Sequence, residues 1–321
     1  MTEATRKLKL GFIALNDCAM LVAAKEKGFF EAEGLDVELV REPSWANIRD
    51  KVAAGAIDGA HMLASMGLAS TLGAGSPAKA MVMPLALNHH GACLTVSTAL
   101  AQAMAGRSLI EVVRERAAQD LPPLRFAVVF PYSIHNYLLR AWLADQGIDP
   151  GMDVRLSVTP PPRMAEQLAA GLIDGFCVGE PWPSLAEAEG TGKILMRAAD
   201  IWPGGPDKVL GVTETFAERE PEALAALIRA LTAAARWADR PENRPELAAL
   251  LARPGYVDAP VEIIESSLHG MAFEAAGRPV LEHGLWFLEQ MQRWGQVPPL
   301  ADPRAIVEQV YRADLYDAAL G

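Results

Sequence analysis

Two stretches of the chain, AAGAIDGAHM at residues 53–62 and AAGLIDGFCVGEPWP at residues 169–183, share Ala-Ala-Gly-x-Ile-Asp-Gly at an offset of 116 residues. A glycine that follows an alanine-rich helical stretch is typical of a helix C-terminus, where its backbone freedom allows a tight turn into the next element. The shared phrase contains no nucleophile. It therefore predicts a duplicated structural unit, and a structural role for the phrase itself.

The same offset relates the strands that precede the phrase. LKLGFIA at 8–14 aligns with LRFAVVF at 124–130, and each apolar run is followed by a helical stretch and a second strand, GLDVELV at 34–40 or DVRLSV at 153–158. Each half thus reads β-α-β-α-β, which requires a parallel sheet with helical crossovers. The sequence predicts an α/β fold of two similar lobes, each a βαβ-type sheet flanked by helices, around a shared ligand cleft.

The repeat ends near residue 213, and the rest of the chain is helical and rich in alanine. A helix is expected to begin at Pro221, with further helices at about 244–253, 260–269, 280–294 and 303–318. We expect these helices to complete the first lobe. The expected domains are residues 1–88 plus 210–321 for lobe I and residues 89–209 for lobe II.

Composition excludes several classes of function. A formal net charge of −11 argues against direct nucleic-acid binding, which needs a basic face. No apolar run reaches the roughly 18 to 20 residues of a membrane span, and MTEATRK leads straight into the first strand without the apolar stretch of an export signal. The three widely spaced cysteines fit neither a disulfide framework nor a zinc site. We therefore expect a cytoplasmic protein without a metal.

Candidate ligand-binding residues lie where the predicted strands end, because open α/β sheets bind ligands at the carboxyl ends of their strands. Few side chains there donate hydrogen bonds to an anion: Trp45, Asn88, His89, His90, His135, Arg163 and Lys208. Adjacent strand residues face opposite sides, so His89 and His90 make a poor metal site. Glu180 is expected to be a buried hydrogen-bonding group between the lobes, and Cys177 a small buried apolar residue.

Several longer stretches resemble the nitrate- and bicarbonate-binding components of ABC importers: AKEKGFF, SWANIRDKVAAGAIDGAHML, LALNHHG, IHNYLLRAWLADQGIDPGMDVRL, PPPRMAEQLAAGLIDGFCVGEPW, PDKVLGV and MQRWGQ. The resemblance covers nearly the whole chain. It implies a two-lobed type II periplasmic-binding-protein fold that closes on a small planar anion. With no export signal read at the N-terminus, it points to the cytoplasmic nitrate/nitrite sensors of the NasS type, whose partner is an ANTAR-domain RNA-binding antiterminator.

The resemblance implies anion contacts at Trp45, His135 and Lys208 and at the turn from Asn88 to Gly91. The chemistry agrees, since nitrate accepts but cannot donate hydrogen bonds and so favours a ring of N–H donors with a cation. Backbone N–H groups after Ser133 would add the positive end of a helix dipole. The importers typically carry a glutamine after this turn, where this chain has Ala92, so one donor is missing.

Each site residue also has a plainer interpretation: Trp45 filling the core, His135 capping a helix, Lys208 lying solvated in a loop. If Lys208 is a cleft lysine, its replacement is expected to weaken anion binding but leave folding intact. Three functions remain open, with neither a catalytic residue nor a cofactor predicted. The first is a nitrate or nitrite sensor that sequesters the antiterminator until the anion binds. The second is the binding component of a nitrate/bicarbonate-type importer, and the third is an enzyme on the same fold.

Overall fold

The structure, a computed structural model, describes residues 6–321, and residues 1–5 of the expected first lobe lie outside it. The described residues form ten strands: β1 Arg6–Phe12, β2 Leu35–Arg41, β3 Gly59–Leu63, β4 Met81–His89, β5 Ala92–Ser97, β6 Arg125–Val128, β7 Arg155–Val158, β8 Gly175–Gly179, β9 Gly192–Arg197 and β10 Pro206–Thr213.

The strands are joined and covered by helices, the longest of which, α12, begins at the expected Pro221. In chain order they are α1 Ala19–Glu26, α2 Phe29–Ala32, α3 Trp45–Ala53, α4 Met66–Leu72, α5 Thr98–Ala103, α6 Leu109–Ala118, α7 Ile134–Asp145, α8 Met164–Ala169, α9 Trp182–Ala188, α10 Ala198–Ile201, α11 Glu214–Arg219, α12 Pro221–Asp239, α13 Arg244–Leu251, α14 Val261–Ser267, α15 Leu281–Arg293, α16 Pro303–Val310 and α17 Ala313–Leu320.

The strands form two five-stranded sheets, in the orders β2-β1-β3-β10-β4 and β7-β6-β8-β5-β9. In each sheet the three duplicated strands pair in parallel, and two further strands join antiparallel. The predicted α/β architecture of two similar lobes is confirmed. The antiparallel strands connect the lobes: the chain passes to the second sheet between β4 and β5 and returns at β10.

The repeated phrase performs the same structural task in both lobes. Gly55 and Gly171 adopt left-handed conformations at the helix ends, with φ of 70° and 66°. The carboxylates of Asp58 and Asp174 accept hydrogen bonds at 2.7 Å from the backbone N–H groups of Lys9 and Arg125, which are also 116 residues apart. The aspartates thereby fix the start of β3 and β8 against β1 and β6, which accounts for the conservation of the phrase between the two halves.

The strand β10 belongs to the first sheet, where it lies between β3 and β4. It begins at Pro206, so residues 206–209, which the sequence assigned to lobe II, pair with lobe I. The physical reason is that β10 runs antiparallel to its neighbours, and a strand of this kind has no counterpart in the βαβ repeat from which the boundary was drawn.

The C-terminal helices pack mainly on the first lobe, where α12 contacts α1, α2 and α17. The single helix expected at 303–318 is instead two, because Tyr311 leaves the helix to bridge Met83 of β4, and its hydroxyl donates to the carbonyl of Ala64 at 2.7 Å. Within residues 6–321, every helix is too short or too polar to cross a bilayer.

Candidate functional site

A fully buried lysine lies at the centre of the polar residues between the two sheets. The ammonium of Lys208 is 2.6 Å from Asp17 Oδ2 and 2.5 Å from Asp207 Oδ1, and all three side chains are at most 1% exposed. The β4–β10 pairing shifts register on both sides of Lys208. Such an irregularity re-aims side chains, in keeping with the meeting of Asp207 and Lys208, which as strand neighbours would normally point apart.

The charges of this cluster hold one another in the ionised state. Burial would lower the pKa of Lys208, but Asp17 and Asp207 raise it above the usual value. Burial would likewise raise the pKa of Asp17, but Lys208 and His61 bring it down to about 2. Lys208 is therefore a permanent buried cation.

Three uncharged side chains add polar atoms that have no hydrogen-bond partner among residues 6–321. These atoms are the indole nitrogen of Trp45, both amide atoms of Asn88 and both ring nitrogens of His135. All three residues are at most 1% exposed. Since buried polar groups are nearly always hydrogen-bonded, this group of unpartnered atoms around a cation indicates a ligand site.

Different elements bring these residues to one place. Trp45 opens α3 after the cap Ser44, and its ring centroid is 5.6 Å from Lys208 Nζ. Asn88 pairs with Lys208 across β4 and β10. His135 lies in the first turn of α7, which Ser133 caps, and its Nε2 is 3.7 Å from Asp207 Oδ1. Ser133, not His135, is thus the cap.

Gly91 completes the set of five predicted site residues. A Cβ added to Gly91 would lie 2.9 Å from Asn88 Nδ2 and 3.0 Å from Asp207 Oδ2. Any larger residue at 91 would therefore enter the space beside the unpartnered amide. The plain interpretations of Trp45 as core filler and Lys208 as a solvated loop residue do not explain the unpartnered indole or the full burial of the ammonium.

The other donors from the strand ends lie outside the cluster. Arg163 is exposed and pairs with Glu166. His89 lies near His90 and His283, and His90 Nε2 accepts a hydrogen bond from the backbone N–H of Gly204. Among residues 6–321, no group of three or more His, Cys, Asp or Glu side chains is arranged to hold a metal ion.

Sequence reasoning missed three residues of the cluster: Asp17, Asp207 and His61. The Nε2 atom of His61 is 2.7 Å from Asp17 Oδ1, and its Nδ1 accepts a hydrogen bond from the backbone N–H of Ile13. Asp17 follows the first predicted strand and Asp207 precedes Lys208, but only donors to an anion were considered at the strand ends. His61 lies inside β3, where no pattern marks it.

The segment Gly-Glu-Pro-Trp joins the two lobes. The carbonyl of Glu180 accepts from the backbone N–H of Asn16 at 2.8 Å, and the indole of Trp182 donates to the carbonyl of Ala14 at 3.0 Å. The Glu180 carboxylate stays within its own lobe, accepting from Ser184 and Arg197. Glu180 is thus buried as expected, but its interlobe hydrogen bond comes from the backbone carbonyl and not from the side chain. Burial raises the pKa of Cys177, so its thiol is un-ionised.

The buried imidazole of His135 predicts a loss of stability in acid. Burial lowers its pKa to about 4, against the opposing effect of Asp207. At pH values between the usual histidine pKa of about 6.5 and the pKa of the folded state, the unfolded chain binds a proton that the folded chain does not bind. We expect the free energy of unfolding to fall by roughly 3 kcal/mol from pH 7 to pH 4 through this group. Urea unfolding at several pH values measures the fall, which His135→Gln should reduce.

Comparison with known proteins agrees with this architecture. The model of the NMT1-like family matches residues 2–252. The crystal structure of the periplasmic nitrate-binding protein NrtA from Synechocystis PCC 6803 superimposes with a TM-score of 0.91 at 32% identity, covering 99% of this chain and 88% of that chain. This result confirms the two-lobed periplasmic-binding-protein fold. The matched protein NrtA is described as a nitrate-binding protein.

Two curated relatives match over 97% of this chain. They are the nitrate import ATP-binding protein NrtC of Synechocystis sp., at 40% identity, and the bicarbonate transport ATP-binding protein CmpC of Synechococcus elongatus, at 37% identity. The chain spans about half the length of these two relatives, 49% in each case. Taken with the family model and the superposition on NrtA, these matches establish that the chain is a member of the NMT1-like family with the two-lobed fold of the nitrate-binding proteins.

Proposed function

We propose that the chain binds nitrate or nitrite in the cluster around Lys208. The observation that carries the proposal is the set of unpartnered buried N–H groups of Trp45, Asn88 and His135 around an ammonium. Nitrate and nitrite carry one negative charge and only accept hydrogen bonds, so indole, amide and imidazole donors with one cation suit them. The nitrate-related names of NrtA and NrtC give independent support.

Bicarbonate is the second candidate ligand, and one atom favours it. Asp207 Oδ2 is buried without a hydrogen-bond partner among the described residues. It could accept from the hydroxyl of bicarbonate, which nitrate lacks, and CmpC is named for bicarbonate transport. The two ligands therefore differ in their use of Asp207.

The ligand is tested by thermal unfolding and calorimetry with nitrate, nitrite, bicarbonate, chlorate and sulfate. We expect nitrate or nitrite to raise the melting temperature most, and calorimetry to give one site per chain. Asp207→Asn separates the candidates, because it removes the carboxylate that would accept from the hydroxyl of bicarbonate, and nitrate has no hydroxyl to donate. A response to bicarbonate alone, lost in Asp207→Asn, would replace nitrate by bicarbonate; no response to any of the five anions would refute the proposed site.

We further propose that anion binding is a signal, and that the chain is a cytoplasmic sensor that holds an ANTAR-domain antiterminator until the anion closes the lobes. The complete burial of the site supports a coupled lobe movement. The site side chains are at most 1% exposed, so a ligand reaches them only when the lobes are open. The three cysteines are free and buried, as suits a reducing compartment.

The sensor is tested by mixing the purified chain with an ANTAR-domain antiterminator and titrating nitrate. We expect the two proteins to co-elute without nitrate and to separate with it. Moving a partner from mostly bound to mostly free requires roughly 3 to 5 kcal/mol of differential affinity. Binding of the antiterminator that does not change with nitrate would contradict the release mechanism.

The importer component is the competing assignment, favoured by the transport names of NrtC and CmpC. This assignment predicts that the native protein binds a permease and does not bind the antiterminator. Cell fractionation and a pull-down with immobilised antiterminator distinguish the importer component from the sensor. Native protein that is found in the periplasm and is not captured by the antiterminator would support the importer component.

A further inference from the structure

The carboxylates of the cluster outnumber its ammonium groups. Asp17 and Asp207 are two carboxylates, and among the described residues Lys208 is the one ammonium that contacts them. All three groups are fully buried. A monovalent anion would add a further negative charge, and burying uncompensated charge is strongly unfavourable. A positive charge must therefore enter with the anion.

Two imidazoles in the cluster could take a proton, and their hydrogen bonds differ. In His61, Nδ1 accepts from the backbone N–H of Ile13 while Nε2 lies 2.7 Å from Asp17 Oδ1. Both ring nitrogens of His61 thus already face Ile13 and Asp17, so His61 has no N–H left for the anion.

His135 has no such restriction. Neither ring nitrogen has a hydrogen-bond partner, and Nε2 is 3.7 Å from Asp207 Oδ1. A protonated imidazole has two N–H donors, one for Asp207 and one for the anion.

The remaining groups around His135 do not supply the missing charge. α7 packs against β8 and β5, where burial raises the pKa of Cys177 and Cys93 and keeps both thiols un-ionised. On α7 itself, burial raises the pKa of Tyr137 above its usual value. Asp207, Lys208 and Asp17 are the charged groups that act on the imidazole.

Resting on the proposed anion site, we infer that each monovalent anion enters with one proton, which His135 binds, and that Asp17 and Asp207 impose this requirement. In the empty site the imidazole is neutral; in the occupied site it is an imidazolium between Asp207 and the anion. The two carboxylates thereby make the affinity depend on pH and disfavour divalent anions such as sulfate, which would need a second proton.

The test is calorimetry of nitrate binding to the full chain at pH 7.5, in phosphate, Bicine and Tris buffers, with a chelator present. Plotting the observed enthalpy against the ionisation enthalpy of the buffer counts the protons taken up. We expect about one proton per nitrate and, by linkage, a Kd that rises about tenfold per pH unit between pH 7 and 8. Nitrate binding with no proton uptake would overturn this inference while leaving the proposed function intact.

Two variants test the assignment. Asp207→Asn keeps the shape but removes one of the two carboxylates, so uptake should fall towards zero and the Kd should become nearly independent of pH. His135→Gln keeps an N–H donor but cannot hold the proton, so any residual binding should occur without uptake; unchanged uptake in this variant would show that another group takes the proton. A requirement for a divalent cation in place of the proton would also refute the inference. Failure of nitrate to bind at any pH would instead refute the proposed site.

Discussion

Replacing Lys208 by methionine is expected to destabilise the folded protein by about 3–5 kcal/mol, because breaking a buried ion pair leaves uncompensated charge. Here two carboxylates, those of Asp17 and Asp207, lose the same ammonium. The sequence suggested a cleft lysine whose loss would leave folding intact. Full burial between two acids leads to the opposite expectation, which urea unfolding at pH 7.5 measures. Nitrate affinity should fall at least tenfold as well, which corresponds to about 1.4 kcal/mol.

The matched control is Lys9→Met, on β1 of the same sheet. Lys9 pairs with Glu38 at 3.4 Å, but both side chains are more than half exposed, and exposed pairs contribute about 0 to 1 kcal/mol. The double variant Lys208→Met with Asp207→Asn removes one of the two stranded charges. It should recover much of the lost stability without recovering anion affinity. Similar small losses in Lys208→Met and Lys9→Met would contradict the buried ion triad.

The fold was predictable because the chain repeats its own pattern. Two copies of Ala-Ala-Gly-x-Ile-Asp-Gly, each after a strand, a helix and a second strand, leave few arrangements other than two parallel sheets. The repeat could not predict the elements that have no copy in both halves. The antiparallel strand β10 and the break at Tyr311 depend on partners far away in the sequence, β4 in both cases.

The site was half predictable for a similar reason. Trp45, Asn88, His135 and Lys208 follow from the search for donors at strand ends, and the structure brings them together. The acids were overlooked because a search for an anion site discards carboxylates. Their presence becomes intelligible only with the geometry, in which Asp17 and Asp207 position and charge Lys208.

Gly91→Ala is expected to weaken nitrate binding about tenfold to a hundredfold, corresponding to roughly 1 to 3 kcal/mol of overpacking. The added methyl would lie 2.9 Å from Asn88 Nδ2, 3.0 Å from Asp207 Oδ2 and 3.3 Å from Met271 Cε. These contacts are closer than ordinary van der Waals distance, so the amide or the carboxylate has to move. Since both line the proposed anion site, the strain should appear in the Kd measured by calorimetry.

The control for this variant is Gly151→Ala, at an exposed turn where the new methyl would meet only the carboxylate of the exposed Asp149 at 3.3 Å. Nitrate affinity should be unchanged in Gly151→Ala, and both variants should unfold cooperatively. Gly91 lies in the short connection between β4 and β5, and its carbonyl accepts from Glu180 N–H at 3.0 Å. A loss of stability in Gly91→Ala with full nitrate affinity would therefore assign Gly91 to the connection between the lobes and remove it from the site.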